Sequence, residues 1–148
     1  MTFICCILEK LASVIGLGTL ALHLCFPHSQ QTETTRARVV EVLADHDSRY
    51  KIEGLKKPEI AVKAGEHLLL RITARKARNR NREGAVHGFT LLRAKDQKPV
   101  PGWDFALEPG TQEFSVIAPD EPGEYIVVCT VICSEDHEGM NMRFVVAP

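Results

Sequence analysis

From residue 38 onward the apolar residues fall in short segments of five to eight, and no helical period survives from one segment to the next. The segments are RVVEVLA at 38–44, YKIEG at 50–54, EIAVKAG at 59–65, HLLLRITA at 67–74, VHGFTLLR at 86–93, QEFSVIA at 112–118, EYIVVC at 124–129 and MRFVVA at 142–147. Pro-Gly pairs at 101–102, 109–110 and 122–123 punctuate them, and the first of these puts Trp103 in a PGWDF turn. Short β-branched segments broken by turn residues predict an all-β sandwich. No internal repeat, Gly-rich phosphate loop, GxSxG elbow or HExxH helix interrupts the pattern.

The residues before this pattern are of another kind. With 148 residues, 45% of them hydrophobic and 25% charged, the chain has material for one domain and a tail. Residues 11–26, LASVIGLGTLALHLCF, carry no charge. As a helix they would reach roughly 24 Å, short of the ~30 Å hydrocarbon core unless residues 3–8 are added and Glu9 and Lys10 are tolerated. An uncleaved membrane anchor is the reading preferred here. A secretory signal is the rival, weakened by the lack of a small-x-small cleavage site, and a buried soluble helix is the third. The predicted organisation is residues 1–26 as anchor or signal segment, 27–35 as a polar linker and 36–148 as the folded domain, exported and held on the periplasmic or extracytoplasmic side. The formal charge of -1 supplies no field to recruit nucleic acid, which is excluded as a partner.

Two of the five cysteines, Cys129 and Cys133, lie far from the other three. In CTVICSEDHEGM they are followed by His137 and Met140, so two thiolates, an imidazole and a thioether stand within twelve residues. Thiolate and thioether are soft ligands that suit copper, and a weak methionine is a usual axial partner in copper electron-transfer sites, whereas zinc rarely enlists one. The intervals of four, eight and eleven residues are also helical intervals. Pro122, Gly123 and the β-branched stretch 125–132 argue instead for a strand end and the loop after it. Plainer readings stand beside these: the cysteines as a disulfide or two packed thiols, and Met140 as core with Met142 able to substitute.

The C-x3-C-x3-H-x2-M spacing, preceded by PGEY and by an earlier V-H-G-F, resembles the CuA domain of cytochrome c oxidase subunit II, and nitrous oxide reductase shares the spacing. The layout of one hydrophobic segment joined to such a domain is similar to the short single-anchor subunit II of B-type haem-copper oxidases. The resemblance covers about residues 50–147. It implies a cupredoxin-like Greek-key β-sandwich with a dinuclear copper centre. It further implies that Cys129 and Cys133 bridge two copper ions, that His87 and His137 each terminate one, and that Met140 and the backbone carbonyl of Val131 are weak ligands. The implied function is electron transfer from a cytochrome c or small copper protein to a terminal oxidase or reductase, with haem-copper oxidase subunit I as a candidate partner. Such a subunit is not catalytic on its own. A copper storage or delivery protein using the C-x3-C pair is the alternative from another class, and a mononuclear blue-copper carrier is a third.

The chain also departs from the pattern. Val131 stands where many subunit II proteins carry a glutamate that helps bind magnesium, so that role is not carried over. Residues 76–84, KARNRNREG, form an insertion before His87 that gathers Lys76, Arg78, Arg80 and Arg82. These four, with Trp103, are the candidate docking residues for a redox partner. The default for such a loop is a solvated hairpin tip, and Glu135, Asp136 and Glu138 in the ligand loop are available to neutralise it. Trp103 is divided between core plug and electron-entry residue. His46 and His67 read as surface residues, and His23 and His28 as interfacial ones.

Overall fold

Alternation at a period of two decides which way each strand faces. In β4 (His67–Ala74), Leu68, Leu70, Ile72 and Ala74 are buried, while the residues between them are exposed or half-buried. The computed structural model describes residues 36–148. The expected anchor and linker, residues 1–35, lie outside the described residues. Among the described residues no helix is long and apolar enough to cross a membrane.

Two sheets carry the domain. The first runs in the order β2 (Arg49–Lys51), β1 (Arg38–Asp45), β4 and β7 (Gly110–Ile117). The second runs β3 (Glu59–Lys63), β9 (Asn141–Ala147), β8 (Gly123–Val128), β5 (His87–Arg93) and β6 (Pro99–Leu107). Both are mixed, because β1 lies parallel to β4 and β3 parallel to β9 while the other neighbours are antiparallel. The inward residues form one buried cluster that includes Val42, Leu70, Phe89, Leu91, Val127 and Phe144. Tyr50 of the first sheet meets Phe89 of the second edge to face, with ring centroids 5.6 Å apart. On the solvent side of the first sheet, Arg71 pairs with Glu41 and Glu113 across three strands, each at 2.8 Å. Exposed pairs of this kind contribute only ~0–1 kcal/mol each.

The region expected as a turn around Trp103 is a strand. β6 pairs with β5, but the register jumps from Thr90↔Asp104 to Leu92↔Pro99. The surplus residues bulge out at Gly102, whose φ of 78° is a conformation glycine adopts without Cβ strain. This Pro-Gly pair bends a strand rather than ending one. Trp103 is consequently a core residue, 3% exposed, with its ring edge-on to Phe144 and Nε1 donating to the Ile117 carbonyl at 3.0 Å. Enclosed in this way, Trp103 offers no docking face, and that expectation is corrected.

Candidate metal centre

β5 and β8 are antiparallel neighbours, with Thr90 opposite Val128. The start of β5 and the end of β8 therefore lie at the same end of the second sheet. His87, the first residue of β5, is brought beside Cys129, the residue after β8, across a separation of 42 positions in the chain. Between them the packing tolerates only glycine: a Cβ on Gly88 would stand 2.4 Å from Thr130 Oγ1 and 2.7 Å from the Thr130 amide nitrogen. That close approach lets the Gly88 N–H donate to Cys129 Sγ at 3.3 Å. The Gly88 carbonyl is tied in turn by the buried Tyr50 hydroxyl.

A ring nitrogen of His87 and the sulfurs of Cys129 and Cys133 all lie within 4.8 Å of one another, the one such group of three among the described residues. All three residues are buried. The sulfurs are 3.8 Å apart, far beyond the ~2.05 Å of a disulfide, and both cysteines are free. Burial pushes the Cys129 thiol up to about 11, against the pull of its contacts with Gly88 and Val131. Its S–H donates to the Val131 carbonyl at 3.2 Å. That carbonyl also accepts the Cys133 N–H at 2.7 Å.

His87 gives the clearest sign of a missing partner. Its Nε2 faces the Arg75 carbonyl at 3.1 Å, and a carbonyl can only accept, so Nε2 carries the proton. Nδ1 then keeps a bare lone pair, and it is the one buried side-chain nitrogen or oxygen among the described residues with no hydrogen-bond partner. Burial lowers the imidazole pKa, outweighing the Arg75 carbonyl and the charge of Asp45, so the ring stays neutral at neutral pH. An unpartnered buried acceptor costs about 1–3 kcal/mol. Two thiols and a neutral imidazole whose second nitrogen is fixed by a backbone carbonyl are a donor set that fits a soft metal.

The other expected ligands are placed differently. Met140 is fully buried, and its backbone carbonyl accepts the Cys129 N–H at 3.1 Å. His137 opens a single 3-10 turn, His137–Gly139, and is half-buried. Its Nδ1 donates to the Ser134 carbonyl at 3.0 Å, and it is not a member of the three-residue cluster.

The basic loop lies against this site. The Asn79 N–H donates to the Cys133 carbonyl at 3.0 Å, and Asn81 Oδ1 folds the rest of the loop by accepting from Glu83 and Ala85. Lys76, Arg78, Arg80 and Arg82 are exposed, and among the described residues none has an acidic partner within 4.0 Å. Glu135, Asp136 and Glu138 are likewise unpaired, so the neutralisation between the two loops that the sequence allows does not form. Reasoning from sequence missed two features here. Ile132, between the cysteines, is 68% exposed. Ser48 reaches the ligand loop from 85 residues away, a distance that no local pattern signals.

No protein-family model matches the sequence, and no curated protein matches it. Solved structures do match. Auracyanin A, a blue copper protein from the green thermophilic photosynthetic bacterium Chloroflexus aurantiacus, superposes with a TM-score of 0.50 at 18% identity, covering 74% of this chain and 98% of its own. Rusticyanin from Thiobacillus ferrooxidans gives a TM-score of 0.50 at 18% identity, covering 75% of this chain and 79% of its own. A chain of a heme-copper terminal oxidase dimer gives 0.47 at 16%, covering 78% and 68%. The first two matches, with the two-sheet topology, identify the fold as that of the cupredoxins.

Proposed function

We propose that this cupredoxin-fold domain transfers single electrons through a dinuclear copper centre. Cys129 and Cys133 would bridge the two ions, His87 and His137 would each terminate one, and Met140 and the Val131 carbonyl would bind weakly. The observation that carries the reading is the bare, buried Nδ1 of His87 beside two free sulfurs. Copper bound there supplies a one-electron couple whose charge is shared through the thiolates. The surrounding residues change no bond: one electron arrives from a reduced donor and one leaves to an acceptor, while a rigid pocket keeps the ligands from rearranging.

Both sulfurs, 3.8 Å apart, would share in holding the copper. His137, whose Nδ1–H rests on the Ser134 carbonyl, would offer its Nε2 lone pair to a second ion.

The donor in this reading is a cytochrome c or small copper protein, and the acceptor a terminal oxidase or reductase, with a haem-copper oxidase subunit I as candidate. Exposed Ile132 and the exposed cations Lys76, Arg78, Arg80 and Arg82 lie on two loops joined by the Asn79 N–H on the Cys133 carbonyl, which suits a partner with an apolar face and acidic groups. The uncharged segment 11–26 supports anchoring to a membrane with the domain on the extracytoplasmic side.

A second reading rests on the position of His137 outside the cluster. Three buried donors without it suit a single Cu(I), as in a copper storage or delivery protein. One experiment separates the two. The full-length chain is loaded to saturation, its copper counted, and its oxidised form examined by EPR. Two coppers per chain, purple colour and hyperfine coupling to two nuclei support the proposal, whereas one colourless Cu(I) supports the storage reading.

A further inference from the structure

We infer that Ser48 tunes Cys133: its hydroxyl ends a chain of hydrogen-bond donors that terminates on that sulfur. This rests on the copper reading above and goes beyond its ligands. Ser48 belongs to the turn between β1 and β2 and is 5% exposed. Its Oγ lies 3.9 Å from Cys133 Sγ and 2.7 Å from Ser134 Oγ. Ser134 Oγ accepts the Asp136 N–H at 3.1 Å.

The direction of the chain follows from proton counting. A thiolate bound to metal can only accept, so the hydroxyl facing it must donate. Ser48 has one hydroxyl proton. Once it points at sulfur, the 2.7 Å contact must be donated by Ser134, whose own oxygen is still free to accept from Asp136. The sequence Asp136 N–H, Ser134 O–H, Ser48 O–H, Cys133 sulfur is therefore polarised toward the metal site, and each bond strengthens the next.

Ser48 also occupies an expensive conformation. Its φ is 57°, which a non-glycine residue adopts at a cost of order 1 kcal/mol and glycine adopts freely. The turn is held there by the Ser48 N–H on the Asp45 carbonyl at 3.1 Å. The Asp45 side chain is itself pinned by Lys51 at 2.6 Å, by the His46 amide at 2.8 Å and by Arg75 at 3.3 Å. A serine kept where glycine is cheaper has a use for its side chain, and in this turn that side chain reaches the ligand loop.

The two thiolates thus receive different donors. Cys129 accepts a backbone N–H, from Gly88, and Cys133 accepts a side-chain hydroxyl. A donor on a thiolate withdraws charge from sulfur and favours the electron-rich reduced state, so Ser48 raises the reduction potential.

The test compares full-length wild type, Ser48→Gly and Ser134→Ala, each loaded with copper. Ser48→Gly relieves the backbone, so its metal-free form should unfold at a temperature no lower than wild type. Its copper count should be unchanged, its midpoint potential lower, and its sulfur-to-copper absorption shifted. Ser134→Ala, which leaves Ser48 in reach of the sulfur, should shift the potential in the same direction and less. A role limited to holding the turn would lower the unfolding temperature without moving the potential. Wild-type potential and absorption in Ser48→Gly overturn the inference while two bound coppers leave the function standing. One copper in the wild type overturns the dinuclear reading, and the Ser48→Gly shift still decides the role of Ser48. No copper at the cysteines overturns both.

Discussion

The two histidines expected as ligands sit in unlike surroundings. His87 is fully buried at the start of a central strand, its Nε2 held by the Arg75 carbonyl and its Nδ1 facing no partner. His137 is half-buried in a single turn between two loop segments, its Nδ1 engaged with the Ser134 carbonyl three residues earlier in the same loop. One half of the proposed centre is built by folding itself, with a bare acceptor already in place. The His137 side has its Nδ1–H on a carbonyl, which leaves Nε2 with the lone pair, but it sits in a half-buried turn outside the buried cluster. In the proposed centre the sulfurs and His87 would be preorganised, and the 134–139 loop would complete the site.

The largest effect that tests this division is expected from Gly88→Ala. The added Cβ meets Thr130 backbone at 2.7 Å, so β5 and the ligand loop must separate. Urea denaturation should show a loss of about 3 kcal/mol, at the upper end for overpacking, together with loss of copper at the cysteines. A stable variant with intact copper binding would mean that the built half is softer than described. Next, metal-free His87→Ala should lose about 2 kcal/mol, its cavity and the Arg75 carbonyl left unpaired outweighing the relief of the bare Nδ1. Metal-free His137→Ala should change stability by less than about 0.5 kcal/mol. Equal losses in the two variants would erase the contrast.

A smaller effect concerns the turn that frames the built half. Burial works against the charge of Asp45, but hydrogen bonds from Lys51 and His46 outweigh it and hold the carboxyl well below the usual carboxylate range. The folded pKa lies below the unfolded one, so the stabilisation is present above the unfolded value of ~3.9 and is lost as pH falls below it. Asp45→Asn should cost about 1–2 kcal/mol at pH 7, and the gap from wild type should narrow as unfolding is followed down through pH 4 toward pH 2. A gap independent of pH would assign the loss to packing. The smallest effect on stability belongs to the outer rim. Replacing Lys76, Arg78, Arg80 and Arg82 by Ser should leave unfolding within about 0.5 kcal/mol of wild type. Stopped-flow reduction by an acidic donor should nevertheless slow and lose its salt dependence, since the Debye length falls from ~10 Å at 0.1 M to ~3 Å at 1 M. The same rate and salt slope in both proteins would make the loop a spectator and leave docking to the apolar surface around Ile132.

What could be read in the sequence follows the same division between local and long-range order. The strands with clean alternation, such as HLLLRITA and MRFVVA, are visible because burial on one face imposes a period of two. β6 is not, because its Pro-Gly pair has the composition of a turn, and only pairing with β5 on one side and the bulge at Gly102 make it a strand. Trp103 was misplaced with it. Cys129, Cys133, His137 and Met140 announce themselves by type and spacing. His87 needed the resemblance, and the bare Nδ1 that supports it exists only once Arg75 is placed behind the ring. That the rim charges stay unpaired depends on loop geometry, which charge counting cannot supply.

The hydrogen bonds around the two sulfurs come from widely separated stretches of chain: the Gly88 amide in β5, the Ser48 hydroxyl in the β1–β2 turn, and the Asn79 amide that holds the Cys133 carbonyl from the inserted loop. The twelve-residue segment from Cys129 to Met140 is thus not a self-sufficient cassette. Transplanted into another β-sandwich, it would bring four of the five proposed side-chain ligands but neither the fifth, His87, nor the groups that orient the sulfurs, and a recipient would also have to supply a glycine opposite Thr130. Engineering this centre elsewhere means moving a neighbourhood of the fold, with the inserted loop included.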